Sequence, residues 1–264
     1  MQHLTVTLVQ SPLFWEDREK NLDMFTKKLQ GLESTTDLVV LPEMFTTGFT
    51  MEPKGLAEPM EGKTMQWMRD QASAGGCVVA GSLIIQDKES FYNRFIWMQA
   101  DGNYYSYDKK HLFSYAGENK NYTPGTSKTI IELNNWKIMP MICYDLRFPV
   151  WSRNRHTEGA GFDFDCLLYV ANWPASRSHV WRILLMARAI ENQCYVVGLN
   201  RLGQDGNDID YSGDSAVIDP TGENISSLLP FEEKTDTVVM TRCSLDSFRD
   251  SFRPWVDWDN FQSD

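Results

Sequence analysis

Short β-branched runs alternate with segments of helical periodicity along the whole chain, and that alternation restricts the fold to layered α/β architectures. His3 to Gln10 alternates as a strand, and Trp15 to Leu32 carries Leu22, Phe25, Leu29 and Leu32 at helical spacing. Asp37 to Leu41 reads as a short buried strand and Lys63 to Ala74 as a helix. Strands follow at Cys77 to Ile85, Phe91 to Met98 and Tyr104 to Tyr107, with Asp101-Gly102 as the turn between the last two. Lys128 to Leu133 and Trp136 to Ile142 form a further pair joined by Asn134-Asn135. Buried strands at Asp165 to Val170 and Cys194 to Leu199 flank a helix from about Arg177 to Asn192, and Asp214 to Ile218 and Thr235 to Met240 close the sheets.

No stretch has linker composition, so residues 1–264 read as one domain. Residues 243–264 form a C-terminal tail, and its aromatic, acidic end, Phe252 to Asp264, is expected to pack at a subunit interface. With 25 Lys and Arg against 36 Asp and Glu, the net charge of −11 argues against a nucleic-acid partner. The longest apolar stretches, Val78 to Ile85 and Ile183 to Ile190, are too short to span a bilayer, and Arg188 interrupts the second, so no membrane partner is expected. The first residues lack the charged start and apolar block of a signal peptide, and the five cysteines suit a reducing compartment; the expected location is cytoplasmic.

Glu43, Cys143, Asn172 and Asn200 each fall at the carboxyl end of an apolar strand, the edge at which open α/β sheets place a binding crevice. Cys143 follows a strand and precedes an expected helix in Pro140-Met-Ile-Cys-Tyr-Asp-Leu-Arg-Phe-Pro149. There a nucleophile is raised on a sharp turn, and helix amides stabilise a thiolate and an oxyanion. A free cysteine is more often a small buried hydrophobe, so its partners decide. His111 and His179 remain as formal bases, whereas Glu43, just past the strand in Asp-Leu-Val-Val-Leu-Pro-Glu-Met-Phe, is a carboxylate that burial would turn into one. Alone, such a glutamate is commonly a cap or ion-pair partner, and Lys109-Lys110 a solvated pair; a lysine beside the cysteine would stabilise thiolate and oxyanion. The chain has no Cys-x-x-Cys or His-x-x-x-His pair, ordered calcium loop or Gly-rich phosphate loop, so neither metal nor organic cofactor is expected. Gly203 to Asp208 is acidic but reads as a turn.

Three separated motifs are Leu-Pro-Glu-Met-Phe at 41–45, Tyr-Asp-Lys-Lys-His-Leu-Phe at 107–113 and Cys-Tyr-Asp-Leu-Arg-Phe-Pro at 143–149. Their order and spacing, 66 residues from glutamate to lysine and 34 from lysine to cysteine, resemble the carbon–nitrogen hydrolase (nitrilase) superfamily. Tyr-Val-Ala-Asn-Trp-Pro at 169–174, Arg-Ala-Ile-Glu-Asn-Gln at 188–193 and Gly-Asp-Ser at 213–215 extend the resemblance over nearly the whole chain. Glu-Met-Phe-Thr-Thr-Gly-Phe, Asp-Lys-Lys-His-Leu-Phe and Val-Ala-Asn-Trp-Pro are similar to the bacterial omega-amidase branch, whose members hydrolyse short ω-amides of 2-oxo acids.

The resemblance implies a four-layer α-β-β-α sandwich of two mixed β-sheets and homodimers that pack helix layer on helix layer. It implies Cys143 as nucleophile, Glu43 as base, Lys109 with the Tyr144 amide as oxyanion donors, and Glu118 as the glutamate that positions substrate and lysine. His111 then becomes structural. Val150 stands where many members carry glutamate, so Arg147 needs another anion, and a scaffold pairing with Asp145 is expected ahead of substrate binding. The glycine-rich, acidic stretch His156 to Asp165 reads as a lengthened surface loop.

The expected reaction is amide hydrolysis through a cysteine thioester, and the resemblance suggests 2-oxoglutaramate, 2-oxosuccinamate or the related amide of methionine salvage as substrate. Phe45, Tyr115, Tyr144 and Trp173, with Asn172 beside them, would shape a narrow pocket, and Arg177 or Arg201 would hold a distal carboxylate. The same residues suit an N-carbamoyl hydrolase, an aliphatic amidase or a nitrile hydrolase. From another class, the alternative is an inactive nitrilase-like binding protein.

Overall fold

The computed structural model describes residues 3–259 apart from 33. In chain order the first half holds β1 (His3–Gln10), α1 (Arg18–Gln30), β2 (Leu38–Val40), α2 (Lys63–Gly75), β3 (Val78–Asp87), β4 (Ser90–Met98), β5 (Tyr104–Asp108) and α3 (Glu118–Asn121). The second holds β6 (Ile131–Leu133), β7 (Trp136–Ile142), β8 (His156–Thr157), β9 (Gly161–Phe162), β10 (Cys166–Ala171), α4 (Ser178–Asn192), β11 (Tyr195–Asn200), β12 (Leu202–Gln204), β13 (Asp210–Ser212), β14 (Ala216–Ile218), β15 (Lys234–Thr241) and α5 (Arg242–Ser251).

A six-stranded sheet runs β15-β1-β2-β3-β4-β5 and a five-stranded sheet runs β14-β11-β10-β7-β6. Both are mixed, because the parallel neighbours β1-β2-β3 and β7-β10-β11 are flanked by antiparallel strands. Strand side chains alternate between faces. Leu4, Val6, Leu38, Val40 and Trp97 of the first sheet therefore share one cluster with Ile138, Leu167 and Val197 of the second. Val9, Val39, Val79 and Ile96, one residue out of phase, pack instead on Phe25 of α1 and Met65 and Met68 of α2. On the far side α4 lies close on β11 because Gly198 leaves room: a Cβ there would meet Leu185 Cδ1 at 2.6 Å. The layers are thus the expected α-β-β-α.

Boundaries moved where side chains compete with the backbone. The first helix starts at Arg18, not Trp15, because Asp17 caps it and accepts from the Lys20 amide at 3.1 Å. The strand expected from Lys128 pairs only over Ile131–Leu133, and the one expected from Asp214 starts at Ala216 after Asp214 turns to φ 57°. Asn134 and Asn135 both take positive φ, 52° and 66°, as a two-residue hairpin turn requires.

The stretch His156 to Asp165 begins at the surface, as expected, and carries regular structure. It opens with the β8–β9 hairpin, whose His156 and Phe162 rings receive Trp255, while Trp258 lies against Phe162 and under Arg153. The tail begins on helix α5, Arg242–Ser251, which buries Leu245 and Arg249. Residues 260–264 of that tail lie outside the described residues. Trp255 and Trp258 are engaged by the chain's own hairpin.

Asp165, at the foot of β10, holds α5 in place. Its carboxylate accepts from Arg249 Nη1 at 2.9 Å, Arg242 Nη2 at 2.9 Å and the Lys137 amide at 3.0 Å. Burial pushes this carboxyl up, but the Arg242 and Lys137 hydrogen bonds and the charges of both arginines outweigh it and hold it below the ordinary 3.8. A depressed carboxyl contributes stability above its unfolded pKa and loses it as the pH falls through the folded one. Asp165→Asn is therefore expected to lower the unfolding free energy at pH 7 by about 3 kcal/mol. Urea titrations repeated towards pH 2 should show the gap between the two proteins closing.

Candidate active site

Cys143 leaves the end of β7 with φ 44°, a left-handed conformation that lifts the side chain off the sheet. Asp145 holds that turn. Its Oδ2 accepts from the Ile142 amide at 3.1 Å and the Tyr107 hydroxyl at 2.8 Å, and its Oδ1 accepts from the His111 amide at 2.9 Å. His111 Nδ1 lies 2.8 Å from the same Oδ1, and its ring stacks on Phe148 at 3.8 Å. One buried carboxylate thus ties the cysteine turn to the segment that follows β5. Arg188, the charge interrupting the α4 apolar run, donates to the Leu146 carbonyl at 2.6 Å and fixes the turn from the other side.

Asp145 is therefore not the partner of Arg147, as the sequence suggested, because its acceptor positions are taken by Tyr107, His111 and Ile142. His111 is likewise held by Asp145, and His179 is exposed on α4, so neither serves Cys143 as base. The expected helix after Cys143 is a five-residue 3₁₀ turn, Cys143–Arg147. Support for a thiolate from helix amides is correspondingly short.

Glu43 sits past β2 on a turn fixed by the Met44 amide, which donates to Ser82 Oγ at 2.9 Å. Lys109 follows β5, and its Nζ lies 2.9 Å from Glu43 Oε1 and 3.0 Å from Glu118 Oε1. All three side chains are completely buried. Asn93 of β4 donates to Glu43 Oε1 at 2.8 Å and to Glu118 Oε1 at 3.3 Å. The Phe113 amide holds Glu118 Oε2 at 2.6 Å. Across the sheets, the Asn172 amide donates to Glu43 Oε2 at 2.7 Å and its side chain to the Glu43 carbonyl at 2.6 Å. The Asn172 carbonyl faces Cys143 Sγ at 3.8 Å.

Burial would push the Lys109 ammonium down, but Glu118, Glu43 and Cys143 together hold it above the ordinary lysine value. Burial pushes Glu118 up, against the pull of Lys109. Burial and the negative charge of Glu43 push the Cys143 thiol well up, and Lys109 offsets only part of this. These shifts favour a neutral thiol beside a charged lysine, an arrangement in which the thiol would react only with a base to take its proton.

Cys143 and Lys109 open into a pocket walled by Phe49, Phe113, Tyr144, Trp173 and Ile209, with Arg147 and Arg177 among its lining residues. Asn172 and Trp173 reach it as expected. Phe45 does not: it is buried against Phe25 and Trp67 on the helix side of the first sheet. Tyr115, 88 % exposed, points to solvent beside Phe113. Arg201 is fully buried outside the pocket, donating to the carbonyls of Leu202, Leu13 and Gln204. Asn200 stands behind the wall, where it accepts from the Trp173 amide at 2.8 Å.

Sequence reasoning missed Asn93, Phe49, Phe113 and Ile209. Asn93 had a signal, since an amide inside an otherwise buried strand needs partners. Phe49, whose ring lies 5.0 Å from Lys109 Nζ, and Ile209, on the β12–β13 turn, had none.

The fold and this cluster define a hydrolase of carbon–nitrogen bonds. Residues 5–250 match the carbon-nitrogen hydrolase family, and the chain belongs to it. It is 43% identical over 262 residues, 99% of each chain, to the omega-amidase YafV of Escherichia coli K12. It is 32% identical over 221 residues, 83% of each chain, to the 2-oxoglutaramate amidase of Bacillus subtilis. A CN-hydrolase superfamily protein from Xanthomonas campestris, with an arsenic adduct in its active site, superposes with a TM-score of 0.96 at 40% identity over all of both chains.

Removing the acceptor that joins the two site segments has a defined cost. Asp145→Asn replaces an acceptor oxygen with a donor and leaves two buried donors unmet. It is expected to lower the unfolding free energy by about 2–4 kcal/mol in urea titration at pH 7.

Proposed function

We propose that this chain is an omega-amidase that hydrolyses the terminal amide of short 2-oxo acid amides, 2-oxoglutaramate foremost, to the acid and ammonia. The single observation that carries the chemistry is the buried Lys109, held between Glu43 and Glu118 at the floor of the pocket that Cys143 enters. The substrate assignment rests on the names of the relatives from E. coli and B. subtilis.

Cys143 Sγ attacks the amide carbon while Glu43 takes the thiol proton. The oxygen becomes an oxyanion facing Lys109 Nζ and the Tyr144 amide. Collapse breaks the carbon–nitrogen bond, Glu43 passes its proton to the departing ammonia, and a thioester remains. Water then attacks the thioester with Glu43 as base, and the returning proton restores the thiol. Glu118 keeps Lys109 in place and charged throughout. The alternatives are N-carbamoyl hydrolysis, general amide or nitrile hydrolysis by the same groups, and an inactive binding protein.

Ammonia release from 2-oxoglutaramate, glutamine, asparagine and a simple nitrile separates these readings. Fastest release is expected from the 2-oxo amide. Cys143→Ala should leave less than about a thousandth of the rate, and Glu43→Gln should lower it about 100-fold to 10,000-fold. Equal rates for Cys143→Ala and wild type would remove the nucleophile assignment.

The same reading includes a cytoplasmic homodimer. Its support is an apolar stripe on the outer face of α4, where Ile183, Met186 and Ile190 are 53%, 42% and 53% exposed at helical spacing, and five free cysteines. No helix among the described residues is long and apolar enough to cross a membrane. Light scattering should give twice the chain mass of 30.4 kDa. Ile183→Glu with Ile190→Glu should return it to the single-chain value.

A further inference from the structure

We infer that Ile209 sets the length of acyl chain the pocket accepts, and that Asp205 is the positioning residue that holds it there. This role rests on the amidase reading and names what limits the size of its substrate.

Ile209 differs in origin from the rest of the pocket wall. The rings of Phe49, Phe113, Tyr144 and Trp173 lie on segments that follow strands of the two main sheets, whereas Ile209 lies on the turn of the separate β12–β13 hairpin. It is the one branched aliphatic side chain among the described lining residues. Cys143 and Lys109 are buried at the floor, and Ile209, 40% exposed, stands at the mouth. An acyl chain whose carbonyl is seated at the sulfur runs from floor to mouth, so its far end is what meets Ile209.

The hairpin is built to hold that side chain still. Within residues 203–210 only Asp205 is buried, and its carboxylate is spent on the hairpin itself. Its Oδ1 accepts from the Asn207 amide at 2.8 Å and the Ile209 amide at 3.1 Å, and its Oδ2 accepts from the Tyr211 hydroxyl at 2.9 Å. The Asp205 amide donates in turn to the Ile209 carbonyl at 3.0 Å. Both backbone polar groups of Ile209 thus end on one residue. Burial and the charge of Asp205 push the Tyr211 hydroxyl up, so it stays a donor. The acidic stretch Gly203 to Asp208 is thereby a brace for Ile209.

Trp15 fixes the distance to the opposite wall. Its ring is wedged between Gly206 of the hairpin and Gly48, the neighbour of Phe49. A Cβ on Gly206 would meet Trp15 Nε1 at 2.3 Å, and one on Gly48 would meet Trp15 Cε3 at 3.1 Å. A wall braced from both sides does not retreat before a longer chain. One methylene too many in an apolar pocket then costs about 10-fold to 200-fold in kcat/KM.

Ammonia release from succinamate, glutaramate and adipamate, which lengthen by one methylene at a time, tests this role. Wild type is expected to lose about 10-fold to 100-fold in kcat/KM from glutaramate to adipamate. Ile209→Ala should remove most of that loss, and Ile209→Phe should move the drop one methylene earlier, between succinamate and glutaramate. Ile209 is exposed, so its variants keep the fold and carry the test by themselves. Asp205→Ala should relax the preference as Ile209→Ala does, and Asp205→Asn, which keeps an acceptor oxygen for the two amides, should restore part of it. Combining Ile209→Ala with Asp205→Ala should relax it no further than Ile209→Ala alone, because both act through one side chain. No drop in wild type, or a length preference unchanged in both Ile209 variants, overturns the inference while leaving amide hydrolysis intact. Additive effects in the double variant overturn the part given to Asp205. Ammonia release from none of the three amides, nor from 2-oxoglutaramate, is the separate failure of the amidase reading, and the inference falls with it.

Discussion

An ammonium removed entirely from water is the constraint around which the site is built. Lys109 has no solvent contact, and an uncompensated charge at that depth would lose its proton. Two carboxylates prevent this, and they in turn need donors. Asn93, the Phe113 amide and Asn172 supply them. Each added group comes from a different element, so keeping one lysine charged draws β4, the segment after β5, α3 and the end of β10 to one point.

The two sheets contribute different chemistry. Glu43 and Lys109 follow strands of the first sheet, and Cys143 and Asn172 follow strands of the second. The strand ends meet because the sheets pack face to face, and side-chain bonds then fix the alignment. Asn172 ties the second sheet to Glu43, and Asp145 ties the cysteine turn to the segment bearing Lys109. Neither residue needs to touch a ligand to matter, because a small shift between the sheets would part Cys143 from Glu43 and Lys109.

What the sequence disclosed follows from this arrangement. Strands buried on alternate faces leave a period-two pattern, so the strands of both sheets and helices α1, α2 and α4 were legible, while their division into two sheets came with the family resemblance. Residues at strand ends, Glu43, Cys143 and Asn172, were legible for the same reason, and the spacing to Lys109 carried the family resemblance. Contacts made by side chains distant in sequence were not. Phe45 has the composition of a pocket wall, yet the turn after β2 packs it against Phe25. Arg147 was expected on the acid two residues before it, but Tyr107, His111 and Ile142 had already occupied Asp145. Helix α5 went unread because its anchor, Arg249 on Asp165, spans 84 residues of sequence.

Global and local charge act over different distances here. A net charge of −11 keeps like molecules apart but also repels an anionic ligand at long range. Screening confines that repulsion to about a Debye length, roughly 8 Å in physiological salt. Inside the pocket, where low-dielectric walls of Phe113, Tyr144 and Trp173 surround the ligand, nearby charges dominate. There Glu118 and Glu43 keep Lys109 charged, while burial first and the charge of Glu43 second push the Cys143 thiol up. In the mechanism proposed above, attack on a carbonyl carbon puts negative charge on oxygen beside Lys109, so a lysine that only partly offsets the cost of a buried thiolate is best used once that charge has moved to the oxyanion.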